Sequence, residues 1–407
     1  MKKLVSSVLA ASMVMSLAAC GSTASTDSAA DSSAASAASS AATTEAAGEG
    51  SGAYTGTPIN IGGIGPVTGG AAIYGQAVKN AEELAVKEIN AANGSDVFEW
   101  KFEDDEHDAE KSVNAYNTLK DWGLQVLAGP VTTTPSLAVA AETANDNIFM
   151  MTPSASAVDV IAAGDNVFQI CFTDPNQGVG AADYMAENFA GAKVAVIYRN
   201  DDAYSQGIRD TFVKEATDKG AFEVVYQGTF TNDTASDFSV QLAGAQNAGA
   251  DLVFLPIYYQ PASIIFSQAK AMGYAPTFFG VDGMDGILTM PGFDASLAEG
   301  LMLMTPFSAT DEANQAFVDA YTAAYGTEPN QFAADAYDGV YIVKAALEAA
   351  GCTADMSNEE ICDALVSAMT SLKFTGLTGT DMTWNAEGQV SKAPTAYVVK
   401  DGQYVKG

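Results

Sequence analysis

The sequence has few of the residues on which most catalytic and metal sites depend. Its 407 residues include one histidine, His107, and four cysteines, with no CxxC pair and no Cys/His spacing typical of a zinc site. No G-x-x-x-x-G-K-[ST] segment occurs, which excludes a P-loop. No G-x-S-x-G accompanies His107, which argues against a serine hydrolase. We therefore expect a protein that is not an enzyme and has no cofactor or catalytic metal.

Basic residues are also scarce. Lysine and arginine number 18 against 50 acidic residues, which gives a formal net charge of −32. So acidic a surface repels nucleic acid and anionic lipid headgroups and favours solubility, so we expect no nucleic-acid partner. After the N-terminal segment no run approaches the roughly 20 apolar residues of a membrane-spanning helix.

The N-terminus has the layout of a signal peptide. Lys2 and Lys3 precede an apolar stretch, Leu4–Leu17, that runs into Leu-Ala-Ala-Cys. This ending resembles a bacterial lipobox, which implies cleavage after residues 1–19 and lipid attachment to Cys20. The alternative is an ordinary secretory signal with a chance cysteine.

Residues 20–56 are mostly Ser, Ala, Thr and Gly. Such a segment cannot bury a core, so we expect a disordered tether that holds a globular domain away from a membrane surface. The protein is then extracytoplasmic and contacts the outer face of the cell membrane through its lipid alone.

The remaining cysteines allow one local cross-link. Cys352 and Cys362 lie ten residues apart and could form a disulfide in an exported protein, whereas Cys171 stands alone. The alternative is a pair of reduced cysteines near the start of a helix.

Strand-like and helix-like segments alternate from Pro58 onward. Residues 59–64 are predicted to form a buried strand and residues 76–92 a helix, and the pattern restarts with a strand over residues 193–198. This alternation predicts an α/β protein with two doubly wound, Rossmann-like lobes built on parallel sheets. Ligands of such folds bind in the loops at the carboxyl ends of the strands.

Those loops offer hydroxyl groups in the first block. Residues 129–135 and 152–156 each follow a predicted strand and carry several Thr or Ser side chains beside a helix start. Hydroxyls and free N–H groups at a helix N-terminus suit a carboxylate. Simple capping of the helix by Thr134 is the alternative. The glycine-rich loop after residues 59–64 lacks the third glycine of G-x-G-x-x-G, because position 68 is Thr68.

The corresponding loops of the second block offer aromatic rings and a carboxylate. They carry Tyr204, Tyr258 and Asp282. A zwitterion would fit between the blocks, with its carboxylate on the hydroxyls, its ammonium on Asp282 and its side chain among the tyrosines. Each tyrosine taken alone is more often a half-buried core residue.

With these loops in order, the chain resembles the type I periplasmic-binding-protein family, in particular the branch of leucine/isoleucine/valine-binding proteins of ABC transporters. The clearest marks are Gly-Pro-x-Thr-Gly near the start, Glu103-Asp104-Asp105 and Thr152-Pro153-Ser154-Ala155-Ser156. The resemblance implies two lobes joined by three crossings, with lobe 1 formed by 57–173 and 308–383, and lobe 2 by 174–307 and 384–407.

The resemblance also implies the ligand contacts. The acidic residue Asp282 would hold an amino group, and the loop hydroxyls would hold the α-carboxylate and part of the ammonium. The expected ligand-binding residues are Tyr74, Thr133, Ser154, Ser156, Tyr204, Tyr258 and Asp282.

Two departures from the family pattern concern the ligand. The branch has Glu where Asp282 stands, and its first-lobe disulfide is missing because His107 and Thr132 occupy those positions. A branched-chain amino acid remains the default ligand, with aromatic amino acids and short amides as alternatives. The acidic run 103–108 is expected to be a solvated turn, although a hard cation is the alternative and Asp104 or Asp105 could brace a hinge.

The expected partners follow from the family. A monomeric binding protein would deliver its ligand to a membrane permease with cytoplasmic ATPases. The competing interpretation is a tethered sensor that presents an amino acid or small amide to a membrane receptor, because one fold serves both roles.

Overall fold

The computed structural model describes residues 54–407 and, before them, the backbone of Thr43–Thr44. The predicted signal peptide, Cys20 and nearly all of the predicted tether lie outside the described residues. Among the residues that are described, no helix is long and apolar enough to cross a membrane.

A five-stranded sheet forms from the first block. After the two-residue strand β1 (Thr43–Thr44), its strands are β2 (Ile59–Gly65), β3 (Phe98–Asp104), β4 (Val126–Ala128), β5 (Phe149–Thr152) and β6 (Val167–Gln169). They lie in the order β3-β2-β4-β5-β6, and every neighbouring pair is parallel. Six of the seven residues of β2 are buried, because helices cover both faces of a parallel sheet.

A seven-stranded sheet forms from the second block and the C-terminus. Its strands lie in the order β15-β14-β11-β10-β9-β7-β8 once they are numbered along the chain. The first five in sequence are parallel and the last two antiparallel. They are β7 (Lys193–Arg199), β8 (Glu223–Phe230), β9 (Leu252–Leu255), β10 (Thr277–Gly280), β11 (Met302–Thr305), β14 (Thr395–Lys400) and β15 (Gln403–Lys406). The short strand β12 (Lys373–Thr375) lies between β1 and β13 (Met382–Thr383) and pairs with both.

Eleven α-helices of the described chain connect and cover these sheets. The expected α/β architecture of two doubly wound lobes is confirmed by this arrangement. The helices are α1 (Ala72–Asn93), α2 (Ala109–Trp122), α3 (Thr133–Asp146), α4 (Val158–Ile161), α5 (Asp174–Asn188), α6 (Ala203–Lys219), α7 (Ser239–Asn247), α8 (Tyr259–Met272), α9 (Gln315–Tyr325), α10 (Gln331–Ala350) and α11 (Asn358–Met369).

The chain passes between the two sheets three times. It leaves the first sheet after β6, returns after β11 to form α9, α10 and α11, and finally reaches β14 of the second sheet. Helix α10 packs on α1, and α11 packs on β5, so the returning helices belong to the first sheet's layers. The three crossings place the carboxyl ends of both sets of parallel strands on either side of one cleft.

Sequence periodicity did not predict α5. The helix contains Gly178 and Gly180, which weaken its propensity. Gly178 is required by packing, because a Cβ atom there would lie 2.5 Å from the carbonyl oxygen of Ile208 in α6. The glycine therefore permits the close contact of α5 with α6. It also lowers the helix propensity of the segment, so the sequence did not indicate a helix there.

A buried ion pair ties the last crossing to α10. Lys392 is 5% exposed, and its Nζ lies 2.5 Å from Asp335 Oδ1 and 2.7 Å from Thr378 Oγ1. Removing one partner of such a pair would leave an uncompensated buried charge. The pair therefore fixes the path of the third crossing.

The two cysteines expected to pair do not form a disulfide. Cys352 and Cys362 are both free and both buried in the core of the first lobe. Burial raises the pKa of Cys362 to about 12, so its sulfur is a neutral thiol that packs as a small apolar group. Cys171 is also free and buried.

One carboxyl group of the first lobe is buried without a cation. Glu82 in α1 is 1% exposed; its Oε2 accepts a hydrogen bond of 3.0 Å from Trp100 Nε1, and its Oε1 has no partner. Burial raises the pKa of Glu82 to about 8. The folded protein therefore holds a neutral glutamic acid at this position up to mildly alkaline pH.

This burial predicts a pH dependence of stability that Glu82→Gln removes. Between the ordinary glutamate pKa and about 8, unfolding releases the Glu82 proton, so its contribution to stability is complete at acidic pH and is lost as the pH rises. The free energy of unfolding of Glu82→Gln relative to the unmodified protein should therefore rise by roughly 1.4 kcal/mol per pH unit from pH 5 to 8. Urea denaturation at several pH values measures this difference.

The neighbouring Glu83→Gln variant is the control. Glu83 is half-exposed, and its pKa is lowered by Lys87 and Tyr325 despite some burial, so it is ionised in both states over this pH range. The free energy of unfolding of Glu83→Gln should therefore vary with pH in the same way as that of the unmodified protein. A parallel profile for Glu82→Gln as well would show that Glu82 is ionised in the folded protein.

Candidate functional site

A small cavity lies where the carboxyl ends of the two sets of parallel strands face each other. Its empty space is about 230 Å³, part of which is open to solvent. Six of the seven predicted ligand-binding residues line it, and Ser156 does not. Its lining consists of Tyr74, Val131, Thr132, Thr133, Ser154, Tyr204, Tyr258, Asp282, Gly283 and Phe332.

The second lobe contributes a carboxyl group to the lining of the cavity. Asp282 follows β10, and its Oδ1 accepts hydrogen bonds from the Tyr204 hydroxyl at 2.5 Å and from the Gly283 N–H at 2.7 Å. Its own N–H donates to Gln177 Oε1 at 3.0 Å. Burial raises the pKa of Asp282 to about 7, because these neutral donors only partly replace water.

Aromatic rings form the wall of the cavity. Tyr204 stacks on Tyr258 with ring centroids 4.8 Å apart, and Tyr74 meets Tyr258 edge to face at 5.5 Å. Tyr74 also packs against Phe332 at 4.4 Å. Phe332 was not predicted, because it belongs to the first turn of α10, far from the strand ends in sequence. The wall is apolar between its hydroxyl groups and suits an uncharged side chain.

Tyr74 also joins the two lobes. Its hydroxyl donates to the carbonyl oxygen of Gly283 at 2.5 Å and accepts the Tyr259 N–H at 3.2 Å. Burial raises the pKa of Tyr74 well above its ordinary value, so the hydroxyl stays protonated. A side chain of the first lobe is therefore bonded to the loop that carries the acidic group of the second.

The first lobe places hydroxyl and N–H groups on its own side of the cavity. Helix α3 begins at Thr133, whose buried Oγ1 has no hydrogen-bond partner. The first N–H groups of a helix have no acceptor within the helix. This side of the cavity therefore presents donors in an electropositive position, which is suited to an anion.

The two serines of the second hydroxyl loop differ. Ser154 lines the cavity, but its Oγ donates to the Val131 carbonyl oxygen at 2.6 Å, so its hydroxyl proton is used within the protein. Ser156 is buried and does not line the cavity, and its hydroxyl adjoins the Asp174 carboxyl group. The loop is fixed by Thr152, whose Oγ1 donates to the Pro130 carbonyl oxygen at 2.6 Å and accepts the Ala155 N–H at 2.9 Å.

A second buried acid adjoins Ser156. The N–H of Asp174, the first residue of α5, donates to the Ser156 carbonyl oxygen at 2.9 Å. Burial raises the pKa of Asp174 well above the ordinary value, and the neighbouring Ser156 hydroxyl offsets this only in part. Asp174 is therefore a neutral acid beside the cleft. It was not predicted, because α5 itself was not.

The acidic run 103–108 braces the cleft instead of forming a fully solvated turn. Asp104 Oδ1 accepts the N–H groups of Val67 and Glu106 at 3.0 and 2.9 Å, and Asp105 is fully buried. His107 Nδ1 lies 2.8 Å from Thr132 Oγ1, so the two positions where the family has a disulfide are joined by a hydrogen bond. No cluster of metal-ligating side chains occurs within the described part of the chain.

Known proteins share both this sequence and this architecture. Residues 58–403 match the family described as periplasmic binding protein. A Leu/Ile/Val-binding protein homolog 3 of Brucella melitensis is 33% identical over 303 residues, which cover 73% of this chain and 80% of the relative.

Two solved structures have the same fold. The branched-chain amino acid transporter substrate-binding protein LivJ of Streptococcus pneumoniae, in complex with isoleucine, is 28% identical with a TM-score of 0.75 and covers 86% of this chain and 100% of its own. The leucine-binding protein LivK of Thermotoga maritima is 25% identical with a TM-score of 0.76, covering 86% and 97%. With nearly its whole folded region matched, the chain belongs to the periplasmic binding protein family.

Proposed function

We propose that this protein is the extracytoplasmic solute-binding component of an ABC importer and captures an amino acid, with a branched-chain amino acid the best fit. The observation that carries the proposal is the polarity of the cavity. The second lobe contributes a buried carboxyl group, Asp282, to the lining, and the first lobe contributes the unpartnered hydroxyl of Thr133 at a helix N-terminus. An α-amino acid has the opposite arrangement of charge.

The carboxyl group of the second lobe and the hydrogen-bond donors of the first lobe together suit a zwitterionic ligand. The Asp282 carboxyl group has only neutral hydrogen-bond partners. An ammonium group beside it would lower its pKa and favour the ionised carboxylate. The ligand's carboxylate would accept hydrogen bonds from α3 and Thr133. An apolar side chain would pack on Tyr74, Tyr258 and Phe332, which favours leucine, isoleucine or valine over a charged amino acid.

The groups around the cavity favour binding over catalysis. Its nearest imidazole, His107, bonds to Thr132 and not to a serine or cysteine. The relatives are binding proteins, and LivJ is described as a transporter component, which favours an importer over a tethered sensor. Lipid on Cys20 and a flexible tether over residues 20–56 would keep the protein near a membrane permease.

Ligand capture would close two lobes, formed by 57–173 with 308–383 and by 174–307 with 384–407. Contacts between them support a closed arrangement around the cavity. Tyr74 bonds to Gly283, and Gln331 Nε2 donates to the Asp282 carbonyl oxygen at 2.8 Å. The loop that would hold the ammonium thus also makes the bonds that close the cleft.

Replacing the acidic group tests the ammonium site. Asp282→Ala should weaken leucine, isoleucine or valine binding by about 2–5 kcal/mol, because a buried ammonium loses its carboxylate. Isothermal titration calorimetry measures the affinity. Glu223→Ala, which removes an exposed carboxylate from the same lobe, should bind as the unmodified protein does. Wild-type affinity in Asp282→Ala would contradict the zwitterion assignment.

The carboxylate site can be tested with adjacent threonines. Thr133→Val should weaken amino acid binding about 10- to 150-fold, because a charge-assisted hydrogen bond is worth roughly 1.5–3 kcal/mol and Val cannot donate one. Thr134→Val is the matched control, since the Thr134 side chain is exposed and the substitution leaves its N–H in place. Equal affinities for the two variants would remove Thr133 from the ligand contacts.

Lobe closure can be followed by small-angle X-ray scattering of residues 57–407. Saturating leucine should reduce the radius of gyration of the unmodified protein, because the hinge closes on the ligand. Asp282→Ala at the same leucine concentration should keep the profile of the unliganded protein. A profile that leucine leaves unchanged in the unmodified protein, at a concentration where calorimetry shows binding, would rule out closure.

A further inference from the structure

The residue that precedes α3 does not cap the helix. Thr132 has the extended backbone of an N-cap residue, with φ −110° and ψ 153°, and threonine is a good capping residue. Its side chain nevertheless makes no bond to the helix N–H groups. The hydroxyl is instead 2.8 Å from His107 Nδ1.

Few N–H groups are available at this helix start. The third residue of α3 is Pro135, which has no N–H, and the N–H of Ser136 donates to the Thr132 carbonyl oxygen at 3.0 Å. The N–H groups of Thr133 and Thr134 are therefore the free donors of the first turn. An N-cap side chain bonds to the second or third N–H of its helix. Because the third residue is Pro135, a capping bond from Thr132 would occupy the N–H of Thr134.

The imidazole of His107 is fixed from two sides. Its backbone is in the left-handed region with φ 62°, and Glu106 before it has φ 51°. The N–H of His107 donates to Asp105 Oδ1 at 2.9 Å, and the ring meets Tyr258 edge to face at 5.7 Å. Left-handed non-glycine residues persist where surrounding contacts enforce them, and they cluster at functional sites.

We propose that His107 is a positioning residue for the carboxylate site, because it holds the Thr132 hydroxyl away from the N-terminus of α3. The N–H groups of Thr133 and Thr134 then stay free for the ligand. This inference rests on the proposed function, since it assigns a carboxylate to that helix end. It gives the histidine a role in affinity without contact to the ligand.

The chemical state of His107 agrees with this role. Burial lowers the pKa of the imidazole to about 4, with a further contribution from the positive charge of Arg199. The ring is therefore neutral at neutral pH, and either of its tautomers can bond to a hydroxyl group. Without His107, the Thr132 hydroxyl can rotate to the capping position, and the ligand's carboxylate must displace it.

A double-mutant cycle on the whole folded region tests the proposal. Leucine affinity is measured by calorimetry for His107→Ala, Thr132→Val and the double variant. His107→Ala should weaken leucine binding about fivefold, because a capping bond is worth on the order of 1 kcal/mol. In the Thr132→Val protein, removal of His107 should change leucine affinity by less than about twofold, because no hydroxyl remains to cap the helix.

The conservative variant His107→Asn separates positioning from folding. Asn tolerates the left-handed backbone and offers a hydrogen-bonding side chain, so this variant should bind leucine more tightly than His107→Ala. Thermal unfolding of each variant without ligand shows that the comparison is between folded proteins.

The results distinguish this inference from the proposed function. If the unmodified protein binds no amino acid, both are wrong. If it binds leucine and His107→Ala binds equally well, the positioning role is wrong while the proposed function stands. The positioning role is also wrong if His107→Ala weakens binding by the same factor with and without the Thr132 hydroxyl, because that pattern indicates general damage to the lobe.

Discussion

The burial of the Asp282 carboxyl group between the lobes is the constraint on which the binding site depends. Its side-chain partners are the Tyr204 hydroxyl and the Gly283 N–H, both neutral, and its pKa is raised to about 7. Burying a carboxylate without a cation is unfavourable, so closure of the cleft needs either a proton or a positively charged ligand group. In the proposed mode of binding an ammonium group meets this requirement, so capture of an amino acid and closure would be one event.

The same loop makes the contacts that join the lobes. Gly283 accepts a hydrogen bond from Tyr74, the Asp282 carbonyl oxygen accepts one from Gln331, and Asp285 Oδ2 accepts the Gln331 N–H at 2.8 Å. Ligand recognition and closure therefore share residues, so a change at the ammonium site alters the geometry of the closed form. A permease that responds to closure would thereby respond to occupancy.

The first-lobe side of the cavity is lined by neutral donor groups, and residues that do not line the cavity hold these groups in place. Thr133 and the N-terminus of α3 supply donors, while His107 engages the Thr132 hydroxyl and Asp104 fixes the neighbouring loop. Helix N–H groups bind an anion well because they need no reorganisation when it arrives. The acidic run 103–108 thus contributes to the site through hydrogen bonds within the first lobe, although its own charge is of the wrong sign for a carboxylate.

The sequence by itself determined the alternation of strands and helices and the loops that carry Tyr74, Thr133, Ser154, Tyr204, Tyr258 and Asp282, because hydrophobic periodicity is local and parallel strands end at one edge. The tertiary structure alone decided which side chains meet. It brought Phe332 to the cavity, turned Ser156 away from it, left Cys352 and Cys362 unpaired and formed α5 around Gly178. These outcomes depend on side-chain direction and on packing between segments distant in the chain, and neither leaves a periodic signal in the sequence.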